Sequence, residues 1–248
     1  MKRIVPGLTL DHGARLTGEI TVGSLEDPHD PVLVAKSYAE AGAAELLIDA
    51  RQADLQSLVA IVERVAAALA IPVALRFDPA ATEDAVMLHA AGAARIVLGR
   101  SALRDTGLIA RLVKQLDTGS IAVALLARHQ GTFWRVAEAV EGQDSEWDAV
   151  TWAAVAEAEG ACELIVESAG PGAFGEPFDL ELLQAIGSAV RKPVLAAGAA
   201  ASVEDLFDAL MIGTADGAIV GELLHSGRAS LAGIQSYLAD RGLDEPSG

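Results

Sequence analysis

Residues 71–99 read IPVALRFDPAATEDAVMLHAAGAARIVLG, and residues 192–221 read KPVLAAGAAASVEDLFDALMIGTADGAIVG. Pro72 and Pro193 stand 121 apart, as do Glu83 and Glu204, and Gly92 and Gly213. A one-residue slip precedes the closing runs, Ile96-Val97-Leu98-Gly99 and Ala218-Ile219-Val220-Gly221. Each copy reads as a short buried strand, a loop, an amphipathic helix ended by glycine, and a second buried strand. A unit that recurs at half the chain length predicts two related halves.

A second pair supports the division. Residues 30–50, DPVLVAKSYAEAGAAELLIDA, parallel residues 148–168, DAVTWAAVAEAEGACELIVES, with Asp30 and Asp148, Gly42 and Gly160, and Glu45 and Glu163 each 118 apart. The apolar run 4–9 lies 117 before 121–126, which brings His12 onto His129. Each half therefore holds four strand–helix units, and the chain holds eight. The expected fold is a single α/β domain, a (βα)8 TIM barrel made of half-barrels at about 1–117 and 118–241 with a polar tail at 242–248. A length of 248 residues suits one such barrel.

The near-continuous apolar strands fit a parallel sheet buried on both faces. Asp30-Pro31 marks a helix start, with Asp as N-cap and Pro in the first turn. Thr82 and Ser202 are the expected caps of the helices after strands three and seven. Helices are also expected near 108–116 and 229–240. The glycine-bearing stretch 11–29 and the stretch 128–145, with Phe133 and Trp134, are expected to form loops or hairpins over one mouth.

The totals narrow the function. With 35 acidic against 18 basic residues and a net charge of −17, nucleic acid and anionic membrane are poor partners. A small anionic ligand is still compatible, because a local arginine cluster overrides the global field. Cys162 is the single cysteine, so neither a disulfide framework nor a cysteine metal site is expected. The first strand begins almost at residue 1, no apolar run reaches membrane-spanning length, and the expected location is the cytoplasm.

In a barrel of this kind chemistry belongs at the C-terminal ends of the strands. That rule selects Arg51, Arg76, Arg100 and Arg128 after strands two to five, a basic arc suited to phosphate or carboxylate. Pairing of each arginine with a neighbouring acid, Asp49, Asp78 or Glu167, is the competing reading. The candidate anion-binding set is Arg76, Arg100, Ser101, Arg128, Gly172, Gly198 and Gly221. The proton-transfer candidates are Asp49, Asp11, His12 and His129. Asp49 has the stronger claim because a carboxylate ending a buried strand must be paired or used. No metal-ligand spacing, nucleophile elbow or phosphate loop occurs, and neither a metal nor a cofactor is expected.

Several segments resemble the histidine-biosynthesis barrels, the cyclase subunit of imidazole glycerol phosphate synthase and its sister, the phosphoribosylformimino-carboxamide isomerase. They are Ile4-Val5-Pro6-Gly7-Leu8, then Leu25-Glu26-Asp27 leading to Asp30-Pro31-Val32, then Ala41-Gly42 leading to Leu46-Leu47-Ile48-Asp49. The similarity covers nearly the whole chain, and the spacing before the first helix is closer to the cyclase. It implies a doubly phosphorylated ribose ligand, one phosphate per half-barrel, and for the cyclase a glutaminase-like partner delivering ammonia through the barrel.

The resemblance also implies catalytic aspartates closing strands one and five, where this chain has Thr9 and Leu126. Neither side chain performs a carboxylate's proton transfer at neutral pH. The cyclase's first-loop lysine falls at Thr17. The family's glycine-rich phosphate sites fall at Arg76-Phe77-Asp78-Pro79, Gly198-Ala199 and Gly221-Glu222, and its Asp-Gly-Thr at Pro171-Gly172-Ala173. Asp49 matches the carboxylate ending strand two. Three readings follow: a barrel enzyme whose substrate or activity has changed, a non-catalytic subunit of an amidotransferase-like protein, and a cyclase subunit in which Asp11 acts from two residues beyond Thr9.

Overall fold

The computed structural model describes residues 2–12, 14–18, 20–21, 25–138, 143–169 and 177–243. Gly172, the 171–173 segment and most of the expected tail lie outside them. The elements run β1 (Arg3–Thr9), α1 (Pro31–Glu40), β2 (Leu46–Asp49), α2 (Leu55–Ala68), β3 (Val73–Arg76), α3 (Thr82–Ala90), β4 (Arg95–Leu98), α4 (Arg100–Arg104), α5 (Gly107–Gln115) and β5 (Ile121–His129). Then follow β6 (Trp134–Ala137), β7 (Asp144–Asp148), α6 (Ala149–Ala158), β8 (Leu164–Ser168), α7 (Leu180–Ala189), β9 (Val194–Ala197), α8 (Val203–Met211), β10 (Gly217–Val220), α9 (Glu222–His225) and α10 (Leu231–Ala239).

Eight of the strands are parallel and close on themselves in the order β1, β2, β3, β4, β5, β8, β9, β10, with β10 returning to β1. The expected closed α/β barrel is therefore the observed fold. β5 is longer than its neighbours. Its residues 121–123 pair with β4, 123–127 with β8, and 126–129 antiparallel with β6. A strand has two edges, so β6 continues above the rim along the edge that β4 leaves. β7 then pairs antiparallel with β6.

Side chains alternate across a strand, and this splits the core in two. The inner layer holds Val5, Leu47, Val97, Ile165, Leu195 and Ile219 with four alanines, 74, 122, 124 and 197. The outer layer, between sheet and helices, includes Leu8, Leu46, Ile48, Leu75, Ile96 and Leu98. Each such fully buried aliphatic side chain contributes about 1.5–3 kcal/mol. Gly92, at φ 117° after α3, allows a close approach to α2: a Cβ there would sit 2.5 Å from the Ala66 Cβ.

Helix starts fall on the mouth side, and of the six N-caps whose side chains accept a backbone N–H among the described residues, four are aspartates and two are serines, Ser202 and Ser230. Asp30, Asp54, Asp148 and Asp179 accept from the backbone N–H of Val32, Ser57, Thr151 and Leu182, and Ser202 accepts from Asp205 N–H. Each is worth about 1 kcal/mol. Thr82 is not the cap of α3. That position is Ala81, and the Asp84 carboxylate reaches back to the N–H groups of Ala80 and Ala81 at 2.9 and 3.0 Å. The helices expected at 108–116 and 229–240 are α5 and α10, each preceded by a short helix, α4 or α9. No helix is long and apolar enough to cross a membrane among the described residues.

Candidate functional site

Inward positions on the eight strands define two ends of the lumen. At the N-terminal end, Arg3 enters from β1 and Arg95 from β4, while Glu45 and Glu163 stand just before β2 and β8. Arg3 pairs with Glu45 at 2.7 Å and with Glu163; Arg95 pairs with Glu163 at 2.9 Å and with Glu45 at 3.4 Å. The four charges form an alternating ring. Both carboxylates are buried. Burial works against the Arg3 charge, but Glu163, then Glu45 and Asp216, more than offset it and raise its pKa. A cleft of about 320 Å³ lined by Arg3, Arg95, Cys162, Glu163 and Asp216 opens beside the ring.

At the C-terminal end the mouth is formed by Thr9, Asp49, Arg76, Leu126 and Glu167. Register places Thr9 beside Asp49, Asp49 beside Arg76, and Leu126 beside Glu167. Arg76, only 4% exposed, crosses the lumen to grip Glu167 with both terminal nitrogens, one at 2.9 Å, and lies 3.7 Å from Asp49. Asp49 also receives Arg51 through Nε and Nη2 at 2.9 and 2.7 Å. Burial opposes the Arg51 charge, and the hydrogen bond to Asp49 reverses that effect, leaving its pKa raised.

The expected basic arc is therefore not a bare cluster of cations. Arg51 and Arg76 are matched by Asp49 and Glu167, and Arg128 pairs with Asp144 on β7. For Arg76, at 4% exposure, an uncompensated guanidinium would be costly. Arg100 alone of the four has no ion pair among the described residues, and it is exposed.

The Asp78 carboxylate, after β3, takes the donors at the end of β4. Its Oδ1 accepts from Gly99 N at 3.1 Å, Ser101 N at 2.8 Å and Ser101 Oγ at 2.9 Å. Ser101, expected to bind an anion, thus holds an internal one. The corresponding place after β9 and β10 has Gly198-Ala199 and Gly221. A Cβ on Gly198 would stand 2.7 Å from the Pro177 carbonyl oxygen and 3.1 Å from the Phe178 ring, so packing excludes a side chain.

Two cavities share the mouth. One, of about 370 Å³, lies over β1 to β5 and is lined by Thr9, Asp49, Arg51, Arg76, Asp78, Arg100 and Leu126, with Val136 and Trp152. The other, of about 250 Å³, lies toward β9 and β10 and is lined by Gly7, Thr9, Asp49, Arg76, Glu167, Gly198 and Gly221. A further cleft of about 550 Å³ sits outside the barrel between the loop after β3 and α4 and α5.

The histidines and Asp11 are elsewhere. Asp11 Oδ1 accepts from Arg15 N at 3.0 Å within the loop after β1, and His12 is exposed in that loop. His129 ends β5 above the rim, exposed, its ring 5.5 Å from that of Trp134. None of the three lines either mouth cavity. Sequence reasoning missed the ring at the other end, although the equal offset of Glu45 and Glu163 was a signal for it. It also missed His225, the half-buried last residue of α9, which faces β1. His225 Nε2 donates to Gly7 O at 2.9 Å, so Nδ1 accepts from the Tyr38 hydroxyl at 2.7 Å. Burial lowers the His225 pKa, partly countered by the bond to Gly7, and burial raises that of Tyr38. Among the described residues no group of three His, Cys, Asp or Glu is placed to hold a metal ion.

A closed barrel of eight parallel strands, with ligand-sized cavities at the strand C-termini and an ion-pair ring at the other end, defines a (βα)8-barrel protein with its working face at the mouth. The chain belongs to the histidine biosynthesis protein family, whose pattern matches residues 3–230. It is 33% identical to the imidazole glycerol phosphate synthase subunit HisF of Dehalococcoides mccartyi strain CBDB1 over 245 residues, covering 98% of this chain and 96% of that protein. The HisF subunit of Trichormus variabilis is 35% identical over 246 residues, with 96% and 95% covered. That of Geobacillus thermodenitrificans is 33% identical over 248 residues, with 98% of each chain covered.

Proposed function

We propose that this chain is the barrel subunit of a two-protein, glutamine-dependent assembly of the HisF kind, and that its mouth no longer carries the cyclase's proton transfers. The observation that carries the first part is the ring of Arg3, Glu45, Arg95 and Glu163 around a lumen walled by Ala74, Ala122, Ala124 and Ala197. The resemblance implies a glutaminase-like partner that sends ammonia along such a lumen. Neutral ammonia tolerates an apolar wall at far lower cost than an ammonium ion. Charged side chains at the entrance, held in pairs, keep solvent ions out without presenting a net charge. The partner docks at this end.

The second part rests on Thr9 and Leu126 at the inward rim. Asp11 does not replace Thr9, because its carboxylate is engaged with the Arg15 backbone in the loop. Arg76, Asp49 and Glu167 are held in one another's charge network. Asp49 remains the carboxylate best placed for proton transfer in the changed reaction.

The test has two arms. Mixed with the glutaminase subunit of a relative's synthase, this chain forms a complex and raises glutamine hydrolysis. Supplied with ammonium salt and the cyclase's phosphorylated ribose substrate, it turns over at least about 10³-fold more slowly than a HisF relative, the loss general acid–base groups commonly cause. Growth of a cyclase-deficient strain on this chain alone would sink the second part, and absence of any complex would sink the first.

A further inference from the structure

The cavity over β1 to β5 has an unusual division of labour. Its charged groups are almost all spent. Asp49 is held by Arg51 and Arg76, Arg76 by Glu167, and Glu138 by Arg104 at 2.7 Å. Asp78 is satisfied by the Gly99 and Ser101 donors. The cation without an ion pair, among the described residues lining this cavity, is Arg100. The same lining includes apolar groups, Leu103, Leu126, Val136 and the buried Trp152. At about 370 Å³ the space suits a small organic molecule.

We propose that this cavity binds a small monoanion with an apolar body, a monocarboxylic acid in the simplest case, with its charged end on Arg100 and its body against Leu126 and Val136. A phosphate dianion is disfavoured here for two reasons. The backbone N–H groups beside Arg100 already serve Asp78, so the donors a phosphate needs are occupied. Its second charge would also face Asp78, which is met by neutral donors and no cation, with Arg100 the one guanidinium not already paired among the described lining residues. A monocarboxylate needs one fork of donors, which Arg100 supplies bidentately. Leu126 then has a positive role, because it supplies apolar contact at a position where a carboxylate would repel this ligand.

The inference deepens the reading of the mouth given above and rests on it; its test is independent of the partner. The full chain is titrated calorimetrically with 3-phenylpropionate, 3-phenylpropionamide, ribose 5-phosphate and ribulose 1,5-bisphosphate, and melting temperatures are recorded with each. The carboxylate is expected to bind and raise the melting temperature. The neutral amide is expected to bind about tenfold or more weakly, and the sugar phosphates weakly or not at all. Arg100→Gln, at an exposed position, is expected to keep the unliganded melting temperature and reduce carboxylate affinity about tenfold or more. Leu126→Asp is expected to reduce it by a similar factor. No binding of 3-phenylpropionate, equal binding of the amide, tighter binding of either sugar phosphate, or indifference to Arg100→Gln would each overturn the proposal. A chain that activates the glutaminase but ignores 3-phenylpropionate loses only this ligand assignment. A chain that binds 3-phenylpropionate but forms no complex loses only the partner reading.

Discussion

At the base of the barrel, Arg3 and Arg95 each contact both Glu45 and Glu163; at the mouth, one buried guanidinium serves two carboxylates that also have solvent. Both networks span the lumen. The base is a closed cycle, since every charge in it has two opposite neighbours. The mouth is a branched chain, Arg51 to Asp49 to Arg76 to Glu167, with exposed Arg51 at one end. Burial of the carboxylates differs in the same sense, although the arginines run the other way, Arg3 and Arg95 being 26% and 23% exposed against 5% for Arg76. The Glu163 side chain is 5% exposed, whereas Glu167 is 22% exposed. A cycle without slack suits a fixed structural element, and an open chain partly in water suits groups that rearrange around a ligand.

Removing one charge from each network tests that difference. Glu163→Ala leaves the part-buried Arg3 and Arg95 sharing one carboxylate, and is expected to lower unfolding free energy by about 3–5 kcal/mol in urea titration. Arg76→Leu is expected to cost less, about 2–3 kcal/mol, because Asp49 keeps Arg51 and Glu167 regains water. If the mouth variant proves the more destabilised, the contrast between cycle and chain is wrong.

A smaller effect isolates the wall behind β1. The half-buried His225 has a folded-state pKa below the unfolded value of 6.5, lowered by desolvation. The unfolded chain therefore takes up a proton first as pH falls, and the stability this group contributes is present above about pH 6.5 and is lost below it. Unfolding free energy should fall more steeply from pH 6.5 to 5 in the parent chain than in His225→Phe, by up to about 1.4 kcal/mol per pH unit. Equal slopes would show that this imidazole does not govern the acid limb.

The fold was legible because parallel barrels advertise themselves locally. Short apolar runs, acidic or serine caps and glycine-ended helices recur along the chain, and Glu83 with Glu204 or Gly92 with Gly213 expose the period. The site was less legible, since its contacts are made across the lumen. Arg76 and Glu167 lie 91 residues apart, and Arg3 and Glu163 lie 160 apart. Deciding whether an arginine is free requires knowing which acid faces it, and that depends on strand register. Arg128 shows the limit well. Placing the end of the fifth strand at 126 puts Arg128 on the working face, but pairing with β6 carries β5 on to His129 and gives Arg128 to Asp144. Equal offsets likewise do not imply contact: His12 and His129 match in position, yet neither reaches a mouth cavity.

Closing the eight parallel strands removes their edges, but the hairpin that continues β5 adds one back. Among the described strands, β7 is the outermost, paired only with β6. Its sequence, Asp144-Ser145-Glu146-Trp147-Asp148, places a carboxylate at every second position. Another copy of the chain trying to extend the sheet there would bring like charges together, so self-association by strand addition is opposed.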